Sequence, residues 1–425
     1  MRNMTNRRMN WKTISGSLCL AFAATTALPT FAGSPDWPQW GGPSRDFKVA
    51  APKLADSWPE SGPTVKWRRP LGEGYSAIAA KGGDLYTMYR KDGKDVVVAL
   101  SADTGKTKWE YAYDAPPHEG STDRFGTGPN ATPLVLDDRV ITLGFTGIMQ
   151  CVDRAAGKPI WSHDLVKEYG GSVLKFGSSA SPLLYKGNVI ALVGGEKNGI
   201  MAFNPKDGAI AWKSEPYDVS YASPIVINVD GQDQIVFFSS SDVMGVDAAN
   251  GKFLWSYPCS NQYKNNATDA IWGEDNLLWA ATQLDGGARV LRLSQKNGKT
   301  SVEKVWESDK IKVFHWNAVR VKDHIYASIG GKVTLVSAVN VKTGEVAWKE
   351  RGFHKANCIY ADDKLIFVDE NGVLAMAKVS PKGMEILGKT ELLEKVAWTV
   401  PTLVGDQLYV RDTKEIVALD LGKKG

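Results

Sequence analysis

"AVNVKTGEVAW", Ala338 to Trp348, is one of five near-copies of an eleven-residue phrase in this chain. The others are "ALSADTGKTKW" ending at Trp109, "CVDRAAGKPIW" at Trp161, "AFNPKDGAIAW" at Trp212 and "GVDAANGKFLW" at Trp255. In each, a glycine (Gly105, Gly157, Gly208, Gly251 and Gly344) stands four residues before the tryptophan. A looser copy reaches Trp306 with four extra residues after Gly298, and "AKVSPKGMEILG" keeps Gly383 but has no tryptophan. Apolar alternation before and after the phrase, as in "DVMGV" and "KFLWSY", predicts two antiparallel strands. The glycine supplies the positive φ that the tight turn between them needs. The small first residue leaves room for the indole of the neighbouring strand, whose burial contributes about 2–3 kcal/mol.

Widening the window gives four strands per unit, for example "ASPIVINV", "QIVFFSS", "DVMGVDA" and "KFLWSY" over 222–257. Similar units begin "ATPLVL" at Ala131, "ASPLLY" at Ala180 and "VPTLVG" at Val400. The tryptophans recur every 42 to 52 residues, the size of a four-stranded propeller blade. The chain ends in "EIVALDLGKKG", a phrase cut off before its tryptophan, while "TVKWRRP" near the start offers Trp67 with no phrase before it. These halves complete one blade if the N-terminal strand closes the ring. With Trp67, Trp109, Trp161, Trp212, Trp255, Trp306, Trp348 and the degenerate copy near Gly388, the expectation is an all-β, eight-bladed propeller.

The first 32 residues read as an export leader: Arg2, Arg7, Arg8 and Lys12, then an apolar stretch from Leu18 to Leu28, then "TFA" before Gly33. Asn10 departs from a twin-arginine pattern, so the general secretory route is expected, with cleavage near Ala32. Cys19 lacks the small-residue run of a lipidated cysteine. The division expected is leader 1–32, an N-terminal segment 33–58 packing on the propeller, and the propeller 59–425. Of 51 Lys+Arg and 47 Asp+Glu, the leader holds four basic residues and no acidic one, leaving 47 of each. A neutral mature chain gives nucleic acid or anionic membrane no electrostatic footing. No later stretch is apolar for the eighteen or so residues a membrane helix requires. Cys151, Cys259 and Cys358 are distant in sequence and odd in number, so no disulfide framework is read from them.

The phrase A-x-D-x-x-T-G-x-x-x-W resembles the tryptophan-docking repeat of pyrroloquinoline-quinone (PQQ) propellers, a family that includes quinoprotein alcohol dehydrogenases and BamB-type outer-membrane assembly factors. "WPQWGGPSRD", Trp37 to Asp46, is similar to a segment that opens exported PQQ-like propellers. The resemblance implies that Trp67, Trp109, Trp161, Trp212, Trp255, Trp306 and Trp348 dock across to the adjacent blade. For the dehydrogenases it implies PQQ in the central channel, with calcium, a stacking tryptophan and often an adjacent cysteine pair. Here no two cysteines are adjacent and no C-x-x-C-H haem signal occurs, so neither PQQ nor calcium has a recognisable site.

The loops that enter the innermost strands gather candidate ligand-binding residues on one rim: Arg124, Asn130, Lys175, Tyr221, Asn266, His315, Trp316, His354, Lys355 and Trp398. His118, Asp123, Ser178, Asp269 and Asn317 belong to the same loops. Cations, amides and rings round a funnel suit a polar ligand with an aromatic face, although loops are also polar simply because they meet water. His315 and His354 lack a carboxylate at ligand spacing, so no metal site is expected. Three functions stay open: a non-catalytic exported scaffold for a cell-envelope protein or peptide, a minimal PQQ-dependent dehydrogenase, and a propeller binding a small polar or carbohydrate ligand. No catalytic residue is assigned.

Overall fold

The computed structural model describes residues 36–117, 122, 124–394 and 396–423; residues 1–32, expected to be an export leader, lie outside them. The strands form eight four-stranded antiparallel sheets, each a blade. Blade 1 runs Ala79–Lys81, Asp84–Lys91, Lys94–Ser101 and Thr107–Asp114. Blades 2 to 7 follow over 134–164, 183–213, 225–258, 271–308, 318–350 and 356–391. Blade 8 takes three strands from 402–420 and its outer strand, Thr64–Pro70, from the other end of the chain. First strands of neighbouring blades touch one another, so they surround the axis and the fourth strands lie outside. Loops entering the first strands share one face, the mouth, with the turns between second and third strands. The phrase turns lie on the opposite face.

The phrase works as a clasp between blades. In blade 2, Gly157 N–H donates to Asp153 O (2.8 Å), while Asp153 Oδ1 accepts from Ala156 N–H (2.7 Å). That local bond is why Asp or Asn suits the third place of the phrase. Trp109 of blade 1 lays its ring on Gly157 and donates through Nε1 to Arg154 O at 2.9 Å. A Cβ on Gly157, whose φ is +67°, would stand 2.5 Å from that ring. The same contact recurs from Trp67 to Ala102 O, Trp161 to Pro205 O and Trp306 to Val341 O. Trp212 lies on Gly251, and Trp348 donates to Ser380 O.

Two seams depart from the rule, and both departures follow from the sequence. The longer outer hairpin of blade 5, Ala288–Lys296 and Lys299–Ser308, carries Gly298 out of reach of Trp255. Trp255 Nε1 donates instead to Gln234 Oε1 in its own blade (2.7 Å), and Gln234 Nε2 reaches Thr300 Oγ1 of blade 5 (2.8 Å). In blade 7, Gly388 pairs with Met376 beside the strand bulge, the register that Trp348 holds opposite Ala338 in blade 6. The missing indole is supplied from outside the repeat: Trp58 lies on Gly388, where an added Cβ would meet its ring at 2.7 Å.

Nearer the axis, the blades are tied by a second ring of hydrogen bonds. Thr132 N–H donates to Ser181 Oγ (2.9 Å), Ser181 N–H to Ser223 Oγ (3.0 Å) and Ser223 N–H to Asp269 Oδ1 (2.7 Å). Further round, Asn317 N–H donates to Asn357 Oδ1 (3.0 Å) and Thr402 Oγ1–H to Ile78 O (2.6 Å). These bonds explain the serine of "ASP" and the threonine of "VPT": Ser181 and Ser223 satisfy the preceding blade's backbone, and Thr402 satisfies that of blade 1. At the closing seam, buried Arg411 of blade 8 donates to Gly72 O, Gly74 O, Ser76 O, Met88 O and Thr87 Oγ1.

The N-terminal segment fills the axis from the face opposite the mouth. Trp37 and Ala80 exchange backbone bonds of 2.8 Å, and Trp37 and Phe47 are buried. Trp40 meets Phe47 edge-on and donates to Asp269, and Arg45 donates to the carbonyls of Ser181, Pro182 and Pro224. Burial pushes the Asp269 carboxyl up to about 6 and holds the Arg45 guanidinium down to about 10. Cys151, Cys259 and Cys358 are buried and free, each thiol pushed up to about 12 chiefly by burial.

Candidate functional site

At the mouth the entering loops bring aromatic rings into one connected array. Trp398 is the hub, with ring centroids 5.1 Å from Tyr75, 5.3 Å from Phe125 and 4.4 Å from His315. Phe125 continues to Phe176 (5.7 Å) and Phe176 to Tyr221 (6.0 Å), while His315 continues to Phe314 (4.6 Å). The rings are held from below. Tyr75 O–H donates to Phe125 O (2.8 Å), Asn130 Nδ2–H to Phe176 O (2.9 Å), and Phe176 N–H to Tyr221 Oη (3.3 Å). Trp398 Nε1–H donates to Glu370 Oε2 (3.2 Å), which also pairs with Lys355 Nζ at 3.0 Å.

The residues expected on the rim divide into two groups. Arg124, Asn130, Lys175, Tyr221, His315, His354, Lys355 and Trp398 lie in the loops at the mouth. Arg124 stacks on Phe125, 5.1 Å from the ring centroid, and the exposed Lys175 accepts a backbone bond from Thr122. His354 is exposed, its backbone N–H held by Asp369. Trp316 and Asn266 are corrections: both are buried structural residues. Trp316 packs among Ile325, Ala327 and Val339 and donates its Nε1–H to Ser328 O. Asn266 turns inward to bond Ser239 O and Cys259 O, closing its own loop. Asp269 faces the N-terminal segment, and His118 and Asp123 lie outside the described residues.

His315 has an unusual position. The residue is half-buried, yet Nε2 is cut off from solvent and has no hydrogen-bond partner. Burial, with a smaller contribution from the Lys355 charge, holds the imidazole down to about 3, so it is neutral at physiological pH. Selecting polar rim residues missed Tyr75, Phe125, Phe176, Phe314 and Glu370. A signal was present in "RFG" and "KFG", at Phe125-Gly126 and Phe176-Gly177, where two loops carry the same Phe-Gly pair.

These residues do not fit a bound quinone. Of the two rim tryptophans that could stack on a quinone, Trp398 is already packed by Tyr75, Phe125 and His315, and Trp316 is in the core. Glu370 is engaged by Lys355 and Trp398, and among the described residues no group of three or more His, Cys, Asp or Glu could hold a metal ion. A cleft of about 920 Å³ lies beside the mouth, at the seam of blades 8 and 1, lined in part by Glu73 and Thr127. It is open and carries charges of both signs, including Arg68, Glu73, Lys91 and Glu394.

A family model described as outer membrane protein assembly factor BamB matches residues 58–191 and 119–350. The chain belongs to that family. It is 25% identical over 287 residues to BamB of Yersinia pestis, covering 63% of this chain and 68% of the relative. With BamB of Escherichia coli K12 it shares 24% over 299 residues, covering 67% and 72%. Among solved structures, BamB from Moraxella catarrhalis superposes with a TM-score of 0.60 at 14% identity, covering 84% of this chain and 99% of that one. A europium-containing methanol dehydrogenase superposes with a TM-score of 0.67 at 11% identity, covering 89% of each. At such identities these superpositions show the fold, which assembly factor and dehydrogenase share. No helix of the described residues is long and apolar enough to cross a membrane.

Proposed function

We propose that this chain is an exported, non-catalytic scaffold of the cell envelope that holds a protein or peptide partner. The observation that carries this reading is the filled axis. The chain's own rings pack together at the mouth, and its own N-terminal segment occupies the other end. Cofactor enzymes need a shaped slot and convergent polar groups for the reacting atoms; here Ser181, Ser223, Asn317, Asn357 and Thr402 already bond to neighbouring backbone. The relatives' name, outer membrane protein assembly factor, points the same way. Export rests on the basic and apolar start of the chain.

The test is an absorbance and calorimetric titration of the mature chain with PQQ, with and without calcium, beside site-specific photo-crosslinking in envelope preparations. Absence of heat and spectral change, together with a reproducible crosslink to one envelope protein, is expected. Saturable micromolar PQQ binding with a shifted quinone spectrum would overturn the reading.

A further inference from the structure

The mouth combines an exposed aromatic surface with positive charge that has no ion-pair partner among the described residues. Phe125 is 39% exposed although it touches Phe176 and Trp398, and Arg124 lies over its ring. Among the described residues neither Arg124 nor Lys175 has an ion pair, whereas Lys355 is matched by Glu370. The two loops are bound together, since Thr122 N–H donates to Lys175 O at 3.0 Å. Arg124 therefore lies on the aromatic face, and the exposed Lys175 belongs to the loop bonded to it.

The hydrogen-bonding groups narrow the ligand class. Asn130 and Asn357 already donate to the carbonyls of Phe176 and Trp398, and Glu370 accepts from Trp398 and Lys355. Glu73 keeps its carboxylate on the cleft side, near Gly126. At the platform itself the charged groups are the cations Arg124 and Lys175 beside a ring, which suits a carboxylate next to a flat apolar group. Shape narrows it again. The platform adjoins the open seam cleft, because Gly126 and Thr127 directly follow Phe125, and Tyr75 follows the cleft residue Glu73 by two positions. A ligand lying on the rings and running into the cleft is longer than a single residue. The hydrogen bonds under Phe125 and Phe176 fix the platform before binding and reduce the ordering cost.

We infer that the mouth surface formed by Phe125, Phe176, Arg124 and Lys175 binds an extended peptide segment in which an aromatic side chain is flanked by carboxylates. The aromatic group stacks on Phe125 and the carboxylates meet Arg124 and Lys175. This rests on the scaffold reading above and adds the place and chemistry of the partner.

The test is fluorescence anisotropy of the mature chain with a labelled Gly-Ser-Asp-Phe-Asp-Ser-Gly peptide at low salt. Controls are the same peptide with Asn for Asp, the same peptide with Ala for Phe, and maltohexaose as competitor. Saturable binding is expected, weakened about tenfold by Phe125→Ala and about tenfold by Arg124→Gln with Lys175→Gln together, each close to 1.4 kcal/mol. Binding should fall with added salt, and the sugar should not compete. Thermal melts of the variants check that the fold is intact; Phe125 is on an exposed loop, so they should match wild type. No saturable binding by wild type, equal binding of the Asn and Ala peptides, or indifference to Phe125→Ala in a folded variant would overturn the proposal. A crosslink to an envelope partner from another face, with no peptide bound here, would sink this site and leave the scaffold reading standing.

Discussion

The clasp missing from blade 7 offers a sharp test of how the ring is held. Trp58 belongs to the N-terminal segment, not to the repeat, yet its ring lies where the seventh docking indole would begin. It is half-buried, with its backbone N–H on Leu387 O and a buried Nε1 that finds no acceptor. A fully buried Trp→Ala change costs about 3–5 kcal/mol; since Trp58 is only partly buried, Trp58→Ala should cost about 2–3 kcal/mol on the same rule. Gly388→Trp alone should also destabilise, by about 1–3 kcal/mol, because its Cβ would sit 2.7 Å from the Trp58 ring. Combining them removes the clash and returns an indole to the seam. The double variant should therefore be more stable than the sum of the single losses by at least about 1 kcal/mol. Urea unfolding of wild type and the three variants, followed by tryptophan fluorescence and circular dichroism, supplies the cycle. Additive losses would refute the reasoning, since they would mean that residues 58 and 388 do not share one site.

Arg411→Met should cost about 3–5 kcal/mol by the rule for breaking a buried charged network, because it strands the carbonyls of Gly72, Gly74, Ser76 and Met88; Arg411→Lys should not restore the urea midpoint, since one ammonium cannot serve both strands and loop. Trp316→Ala and Trp255→Ala should lose similar stability, about 3–5 kcal/mol each, and a near-neutral Trp316→Ala would contradict its place in the core. The Asp269 carboxyl, pushed up to about 6, contributes stability that is full below its ordinary value near 4 and lost as pH rises through 6. Asp269→Asn removes that dependence, so the variant should gain on wild type by about 2–3 kcal/mol between pH 4 and 7; parallel stability curves would show that the carboxyl does not titrate in this window.

The architecture was legible because one phrase reports three things at once: a strand pair, a turn and a contact to the next blade. Even its failures carried information. The four residues added after Gly298 move a turn away from Trp255, and the glycine at 388 leaves a space that a distant segment fills. What the phrase did not show was the substitute in each case, since Gln234 and Trp58 act through contacts that no local pattern encodes. The mouth was legible in part. Its loops could be placed from the repeat, but "FHWN" and "VAWT" look alike, and only the packed structure turns Trp316 into the core and leaves Trp398 at the mouth. Phe125 and Phe176 were passed over because an apolar ring in a loop resembles core until its exposure is known.

The closing sheet also sets an order of events during synthesis. Arg68 on the N-terminal strand meets Glu415 across 347 positions of sequence, so the first strand of the ring is synthesised long before its partner. Through that interval Thr64–Pro70 is an unpaired edge with nothing beside it, a template for foreign strands. Blades 1 to 7 can assemble on one another as they emerge, but the circle cannot shut until 415–420 arrives. Truncation near the C-terminus should therefore leave an open arc with two sticky ends, not a smaller wheel. For such a chain the hazard of synthesis lies in waiting for its last strand.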